Sequence, residues 1–212
     1  MSAAMNTVNT SDSLLRGAFN TNFGSASNIQ AFAGPRDDPF FIDDILSKSS
    51  IIVNPEEQCI ELDDDHEMIS SGFGNITPWH CPRDIPEEEL GAKLEKLCAL
   101  VKNMSSCIFN LHCPPYNTIL DVAPMLDETL KAVTVGGAIM QSNVGSKAVL
   151  DAIKKYQPLF SLHGHIHESR GDCMIGRTVC INPGSAYSQG VLRGVVAFLG
   201  KNKIKNFVLT SG

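Results

Sequence analysis

Two apolar runs of strand length, Cys107 to Leu111 and Pro158 to Ser161, are each followed closely by histidine, and a helix-period segment lies between them. That segment, about Ser146 to Tyr156, sets Val149, Leu150, Ile153 and Tyr156 on one face. A strand, a helix and a strand in this order leave few folds open: a sheet covered by helices, α/β or α+β. The two histidine-bearing ends fall one crossover helix apart, and in sheets wound this way sites gather at the carboxyl ends of neighbouring strands.

The second of these ends carries half of the chain's histidines: Leu162-His163-Gly164-His165-Ile166-His167-Glu168. A neutral imidazole gives one nitrogen to a metal and is anchored through the other, which makes histidine the commonest metal-binding side chain. If the strand stays extended, residues two apart point the same way, so His165 and His167 reach one centre together. His163 reads as a residue behind the ligands. His112, delivered at the end of Cys107–Leu111, brings a third imidazole to the same side. The competing reading for any one of them is a hydrogen-bonded histidine of the sheet. Cys113, beside His112, reads as core filler.

Composition narrows the class. With 212 residues, 43% of them hydrophobic, the chain can bury one good core. A net charge of -6 argues against a general nucleic-acid or anionic-membrane surface. No apolar run reaches membrane-span length, and the N-terminus lacks a charged-then-apolar signal sequence. Seven scattered cysteines without C-x-x-C spacing fit reduced thiols in a cytoplasmic protein.

The Asn/Ser/Thr-rich segment 1–28 reads as a disordered or divergent leader, and 29–212 as the folded domain. Ile29 to Ala33 reads as a strand and Phe40 to Leu46 as a brief helix or turn. Ser50–Val53 and Gln58–Leu62 flank Asn54-Pro55-Glu56-Glu57 and predict a hairpin. Asp63-Asp64-Asp65-His66 is read as a solvated turn. Asp84-Ile85-Pro86-Glu87 predicts a capped helix start, with Leu90, Leu94, Leu97 and Val101 on its inner face. Thr178–Ile181, Val191–Leu199 and Ile204–Leu209 predict closing strands.

The combination of His112 after an apolar strand, Gly164-His165-Ile166-His167, and Ile181-Asn182-Pro183-Gly184-Ser185 resembles the calcineurin-like metallophosphoesterases. Pro114-Pro115-Tyr116-Asn117-Thr118 and Leu192-Arg193-Gly194 resemble the small prokaryotic-type branch of that family. The likeness runs from about Gly34 to Leu199. It implies a two-sheet sandwich flanked by helices, and a pair of divalent transition metals (Mn, Fe, Zn or Co) at the strand ends. By the resemblance His112 and His165 bind one metal and His167 the other, with His163 in support. Such pairs lie roughly 3.5–4 Å apart and clamp the attacking and leaving oxygens of a phosphoester. The implied substrate is a phosphomonoester or phosphodiester, a small molecule or nucleotide.

The sequence also departs from the family pattern. Before Arg36 there is one acidic residue, Asp12, and no histidine, so the D-x-H and G-D-x-x-D ligands of the family are absent. Gly34-Pro35-Arg36-Asp37-Asp38-Pro39 aligns with a G-N-D-D-P turn whose metal-binding Asn is lost. Arginine is always protonated and cannot ligate a metal, but Arg36 could grip a phosphate oxygen. Asp37 or Asp38 could substitute as ligand or proton donor; the competing reading is a solvated helix-capping pair. The expectation is a phosphoesterase-fold protein that is incomplete at the N-terminus, truncated or catalytically impaired. Two alternatives stay open. One is a non-catalytic scaffold whose exposed sheet edge is covered by a protein partner. The other is a mononuclear hydrolase with a three-histidine zinc site of His112, His165 and His167.

Overall fold

The computed structural model describes residues 52–212, with side chains from Val53 onward, and the strand backbones Ala4–Val8, Gly17–Thr21 and Ile29–Gln30. The expected helix or turn at Phe40–Leu46 lies outside the described residues, as do Arg36, Asp37 and Asp38.

In chain order the first strands are β1 (Ala4–Val8), β2 (Gly17–Thr21), β3 (Ile29–Gln30) and β4 (Ile52–Val53). There follow β5 (Cys59–Glu61), β6 (Glu67–Ser71), β7 (Gly74–Asn75), β8 (Asp84–Ile85), helix α1 (Glu87–Cys98) and β9 (Ile108–Leu111). Next come β10 (Val122–Pro124), β11 (Thr134–Val135), β12 (Ala138–Ile139), β13 (Gln141–Asn143) and helix α2 (Lys147–Tyr156). The chain closes with β14 (Phe160–Leu162), β15 (Gly171–Ile175), β16 (Thr178–Asn182), β17 (Arg193–Gly200) and β18 (Lys203–Ser211).

Two sheets carry the architecture. A six-stranded sheet runs in the order β15-β16-β14-β9-β6-β5, and a four-stranded sheet in the order β18-β17-β1-β2. In the larger sheet β6, β9, β14 and β16 are mutually parallel, and β5 and β15 close its edges antiparallel. Parallel strands are buried on both faces, and their side chains divide accordingly. Ile69, Phe109, Leu111 and Cys180 face a core shared with Leu90, Leu94 and Leu97 of α1 and Val149 and Ile153 of α2. Met68, Ile108, Phe160, Leu162 and Ile181 face Val195, Ala197 and Leu199 of β17, which alternate inward at the strand period. The result is three layers: helices, six-stranded sheet, four-stranded sheet. Within the segment 1–28, β1 pairs with β17 and with β2.

Both helices carry the apolar faces expected of them, except that α1 ends at Cys98 and leaves Val101 beyond it, half-buried against the same core; their starts differ. Ser146 caps α2, its Oγ accepting from Val149 N at 3.1 Å. The capping box expected at α1 does not form. Asp84 turns its carboxylate back to Thr77 N (3.0 Å), Thr77 Oγ1 (2.5 Å) and Cys81 N (3.0 Å), and the N-cap position is Pro86, with no side-chain cap. Glu87 serves the other helix instead, accepting from Ser146 Oγ (2.7 Å), Lys147 N (3.0 Å) and Ala148 N (2.8 Å). A carboxylate against the first N–H groups of a helix satisfies donors that have no partner within the helix.

The expected hairpin across Asn54–Glu57 is likewise replaced. β4 pairs in parallel with β3, and β5 pairs antiparallel with β6. Glu56 explains the change. It bridges to Ser70, takes Gly72 N on both carboxylate oxygens at 3.0 Å, and pairs with buried Arg83 at 2.8 Å. The turn is thereby fixed to the end of β6 rather than folded back on β4.

Candidate metal centre

The parallel strands β6, β9, β14 and β16 end at one rim of the larger sheet, and the candidate site is built from the loops that leave them. His112 follows β9 directly, its backbone N–H donating to Ser71 O at 2.9 Å and its carbonyl accepting from Gly164 N at 3.0 Å. The loop after β14 is thus stitched to the end of β9. Gly74, in β7, stands beside this corner: an added Cβ would lie 3.9 Å from the His112 ring.

His112 Nε2 and His165 Nδ1 come within 3.0 Å, their rings meeting edge to face at 65°. His112 is buried, only 8% exposed. Two nitrogens that each bond one ion at about 2.0–2.1 Å in tetrahedral geometry stand roughly 3.3 Å apart. The observed pair therefore fits a single ion with a shift of a few tenths of an ångström. His165 also has φ of 63°, in the left-handed region that non-glycine residues rarely occupy.

That dihedral corrects the extended-strand reading of the histidine run. β14 ends at Leu162, so 163–168 is a loop and the period-two argument for His165 and His167 does not apply. His167 instead stands edge-on to Tyr187, with ring centres 5.6 Å apart. Among the described residues no group of three or more His, Cys, Asp or Glu side chains is placed to hold one ion. The structure brings His112 and His165 together and sets His167 against Tyr187.

His163 is held on both ring nitrogens. Nδ1 lies 3.0 Å from Cys113 O and Nε2 2.9 Å from Ser161 Oγ. It is 2% exposed, and burial pulls its pKa down to about 4, so the ring is neutral. It braces β14 against the turn after β9. Cys113 is fully buried and its thiol is pushed up to about 12 by desolvation, which fits core filler rather than a nucleophile.

The residue that organises the loop is Asn182, whose functional weight the sequence did not reveal. It is fully buried at the end of β16. Its Nδ2 reaches Ile166 O (2.8 Å), Gly164 O (3.2 Å) and Leu120 O (3.3 Å), while Oδ1 accepts from Gly184 N at 2.9 Å. One amide thus grips the carbonyls on either side of His165. Gly184, at φ 67°, is packed so that a Cβ would meet His167 O and Arg170 Cβ at 2.9 Å. Ser185 N completes the turn by donating to His167 O at 3.0 Å. The sequence signals were the Asn182-Pro183-Gly184-Ser185 run that carries part of the family resemblance and an Asn before Pro-Gly that reads as an ordinary turn; neither assigns Asn182 the part of a clamp.

Asp121 plays the same part on the other side. It is fully buried and accepts from Asn117 N (3.0 Å), Thr118 N (2.8 Å), Gly145 N (2.9 Å) and Asn143 Nδ2 (2.7 Å). The Asp63–His66 segment does form a turn, but His66 is buried, with Nδ1 2.7 Å from Asp63 Oδ1 and Nε2 3.1 Å from Gly200 O. It ties the two sheets together, away from the candidate centre.

No family model matches the chain. The uncharacterized protein MJ1162 of Methanocaldococcus jannaschii is 34% identical over 118 residues, covering 55% of this chain and 47% of the relative. The matched region is thus about half the length of that curated relative. Among solved structures, one crystal structure superposes with a TM-score of 0.60 at 21% identity, covering 85% of this chain and 64% of its own. The crystal structure of TT1561 of Thermus thermophilus superposes with a TM-score of 0.54 at 20% identity, covering 86% and 71%. At these identities the likeness is one of fold: a two-sheet α+β sandwich flanked by helices.

Proposed function

We propose that this chain is a metal-dependent phosphoesterase-family protein acting on a phosphomonoester or phosphodiester at the rim formed by β6, β9, β14 and β16. The observation that carries the reading is the 3.0 Å approach of His112 Nε2 and His165 Nδ1 from the ends of two adjacent parallel strands. His112 and His165 would hold one divalent ion, Mn, Fe, Zn or Co, and His167 would contribute to a second. When bound, such ions supply positive charge to the phosphoryl oxygens and lower the pKa of water. The chain's own contribution is position. Asn182 fixes the carbonyls flanking His165, and the Ser185 and Gly184 turn fixes His167. His163 stays neutral behind them. Arg36, Asp37 and Asp38 are proposed to complete the site, Arg36 gripping a phosphate oxygen and an aspartate serving as ligand or proton donor.

The test has two readouts. Elemental analysis of protein purified without chelator should find divalent transition metal, lowered in His112→Ala and His165→Ala. Hydrolysis of bis(p-nitrophenyl) phosphate with added Mn²⁺ should fall with it. Metal content that both substitutions leave unchanged would refute the assignment of the pair.

A second reading, a scaffold that binds protein through this fold, is favoured by one observation. The arm built from β10–β13 and β11–β12 exposes Leu130, Val135, Ile139 and Met140. A stoichiometric complex that survives both chelation and His165→Ala, but is lost on replacing Val135 and Ile139 by Ser, would support it.

A further inference from the structure

Three buried side-chain polar atoms that lack a hydrogen-bond partner among the described residues belong to one turn and its flanks: Arg170 Nε, Ser185 Oγ and Arg193 Nε. Gly184 joins them. An added Cβ there would lie 2.9 Å from Arg170 Cβ and 3.4 Å from Arg193 Nη1, so the two arginines flank the same glycine. Arg170 spends one nitrogen, Nη2, on Thr210 O at 3.2 Å. Among the described residues neither guanidinium has a carboxylate partner, although Glu168 and Asp172 lie within two positions of Arg170; both are exposed.

Guanidinium is always protonated, and withdrawing it from water without a counter-charge is costly. Two half-buried guanidiniums and one hydroxyl, with unspent donors at one turn, match an oxyanion of charge near two. The turn is also bonded to the histidine loop through Ser185 N and His167 O. We propose that Arg170, Ser185 and Arg193 form a binding site for a phosphate group beside the His167 end of the candidate centre. Its use rests on the hydrolase reading. There it would anchor a non-reacting phosphate, directing the chemistry towards substrates that carry more than one phosphate.

The site is testable without any metal. Titration calorimetry of the full chain with inorganic phosphate, in chelator and at fixed ionic strength, should show one saturable site. Binding should weaken by roughly tenfold or more in Arg193→Gln and in Arg170→Gln, and less in Ser185→Ala. It should survive in His165→Ala, which separates this site from the proposed metal ligands. Should an arginine variant not fold, wild-type protein should still unfold at higher temperature in phosphate than in chloride of equal ionic strength, with Arg193→Lys retaining part of the shift. No saturable binding in the millimolar range, or binding that both Gln variants leave unchanged, would overturn the proposal. Loss of binding in His165→Ala would overturn it too, placing the phosphate at the histidines, and acetate binding as tightly as phosphate would refute the phosphate assignment.

Discussion

Asn182→Ala is the sharpest single perturbation of this architecture. The substitution removes one buried amide and strands four backbone groups: the carbonyls of Ile166, Gly164 and Leu120, and the N–H of Gly184. The bonds to Ile166 O at 2.8 Å and Gly184 N at 2.9 Å are the well-formed ones, while Gly164 O and Leu120 O share the remaining donor capacity at longer range. A buried group left unsatisfied costs about 1–3 kcal/mol, so two full losses and two partial ones come to about 3–5 kcal/mol. That is a large part of the roughly 5–15 kcal/mol by which a domain is stable. For a chain of this size it corresponds to a fall in Tm of roughly 10–15 °C.

The effect should also be local before it is global. Freed of its flanking clamps, His165 can relax from its left-handed backbone, which costs about 1–2 kcal/mol to hold. Its ring then leaves His112. Thermal and urea unfolding read the first effect, and metal content of the still-folded protein reads the second. Asn182→Asp tests the polarity: it keeps the acceptor for Gly184 N but sets a carboxylate against three carbonyl oxygens, so it should destabilise at least as much as Ala. A Tm within about 3 °C of wild type together with unchanged metal content would refute the assignment of Asn182 as the clamp.

Gly184→Ala should lower stability by about 1–3 kcal/mol, because φ is 67° and the new Cβ would meet His167 O and Arg170 Cβ at 2.9 Å. Urea unfolding reads the loss, and wild-type stability would contradict it. Cys173 should react before the buried thiols Cys98, Cys107 and Cys113. A hydrogen bond from the Cys180 thiol, its cross-strand neighbour, lowers its pKa, whereas burial raises Cys98 and Cys113 to about 12 and raises Cys107 further. Peptide mapping after brief iodoacetamide treatment at pH 8 should find Cys173 labelled before those three; the reverse order would refute the argument. Glu87→Ala and Ser146→Ala should each cost about 1 kcal/mol, and the double variant less than the sum, since both cap α2 and bond each other at 2.7 Å. Strict additivity in a double-mutant cycle would show that the two act separately.

The sequence made the helices, the closing strands and the meeting of His112 with His165 legible, for one shared reason. Each rests on a local period or on a single topological rule, that a helical crossover sets two strand ends side by side. What was illegible depended on competition between distant partners. Asp84 has the right residue type and position for a helix cap, yet Thr77 and Cys81 offer three donors and take its carboxylate. Glu87 looks like the third residue of a capping box and is drawn to the N-terminus of α2, about sixty positions away in sequence. The hairpin expected at Asn54–Glu57 fails because the better partner of β4 is β3, in parallel, and of β5 is β6. The substitutes expected at Arg36, Asp37 and Asp38 lie outside the described residues.

The misreading of the histidine run is the most instructive, because a single backbone dihedral causes it. Strand alternation would have placed His165 and His167 on one side, both turned from or towards His112 according to register. The loop instead begins right after Leu162, and a left-handed residue at His165 turns that ring to His112 while His167 goes to Tyr187. Separating two imidazoles that lie only two positions apart suits the proposed pair of ion sites better than a single site. It requires a non-glycine residue in a strained backbone, and strain of this kind persists only where the surroundings over-determine it. Here they do: Gly164 N is tied to His112 O, the carbonyls of Gly164 and Ile166 to Asn182, and the carbonyl of His167 to Ser185 N. Four backbone anchors within four residues hold a conformation that none of those residues would choose alone. Replacing His165 by Gly should therefore stabilise the fold while abolishing the pair, and a loss of stability in urea unfolding would contradict the argument.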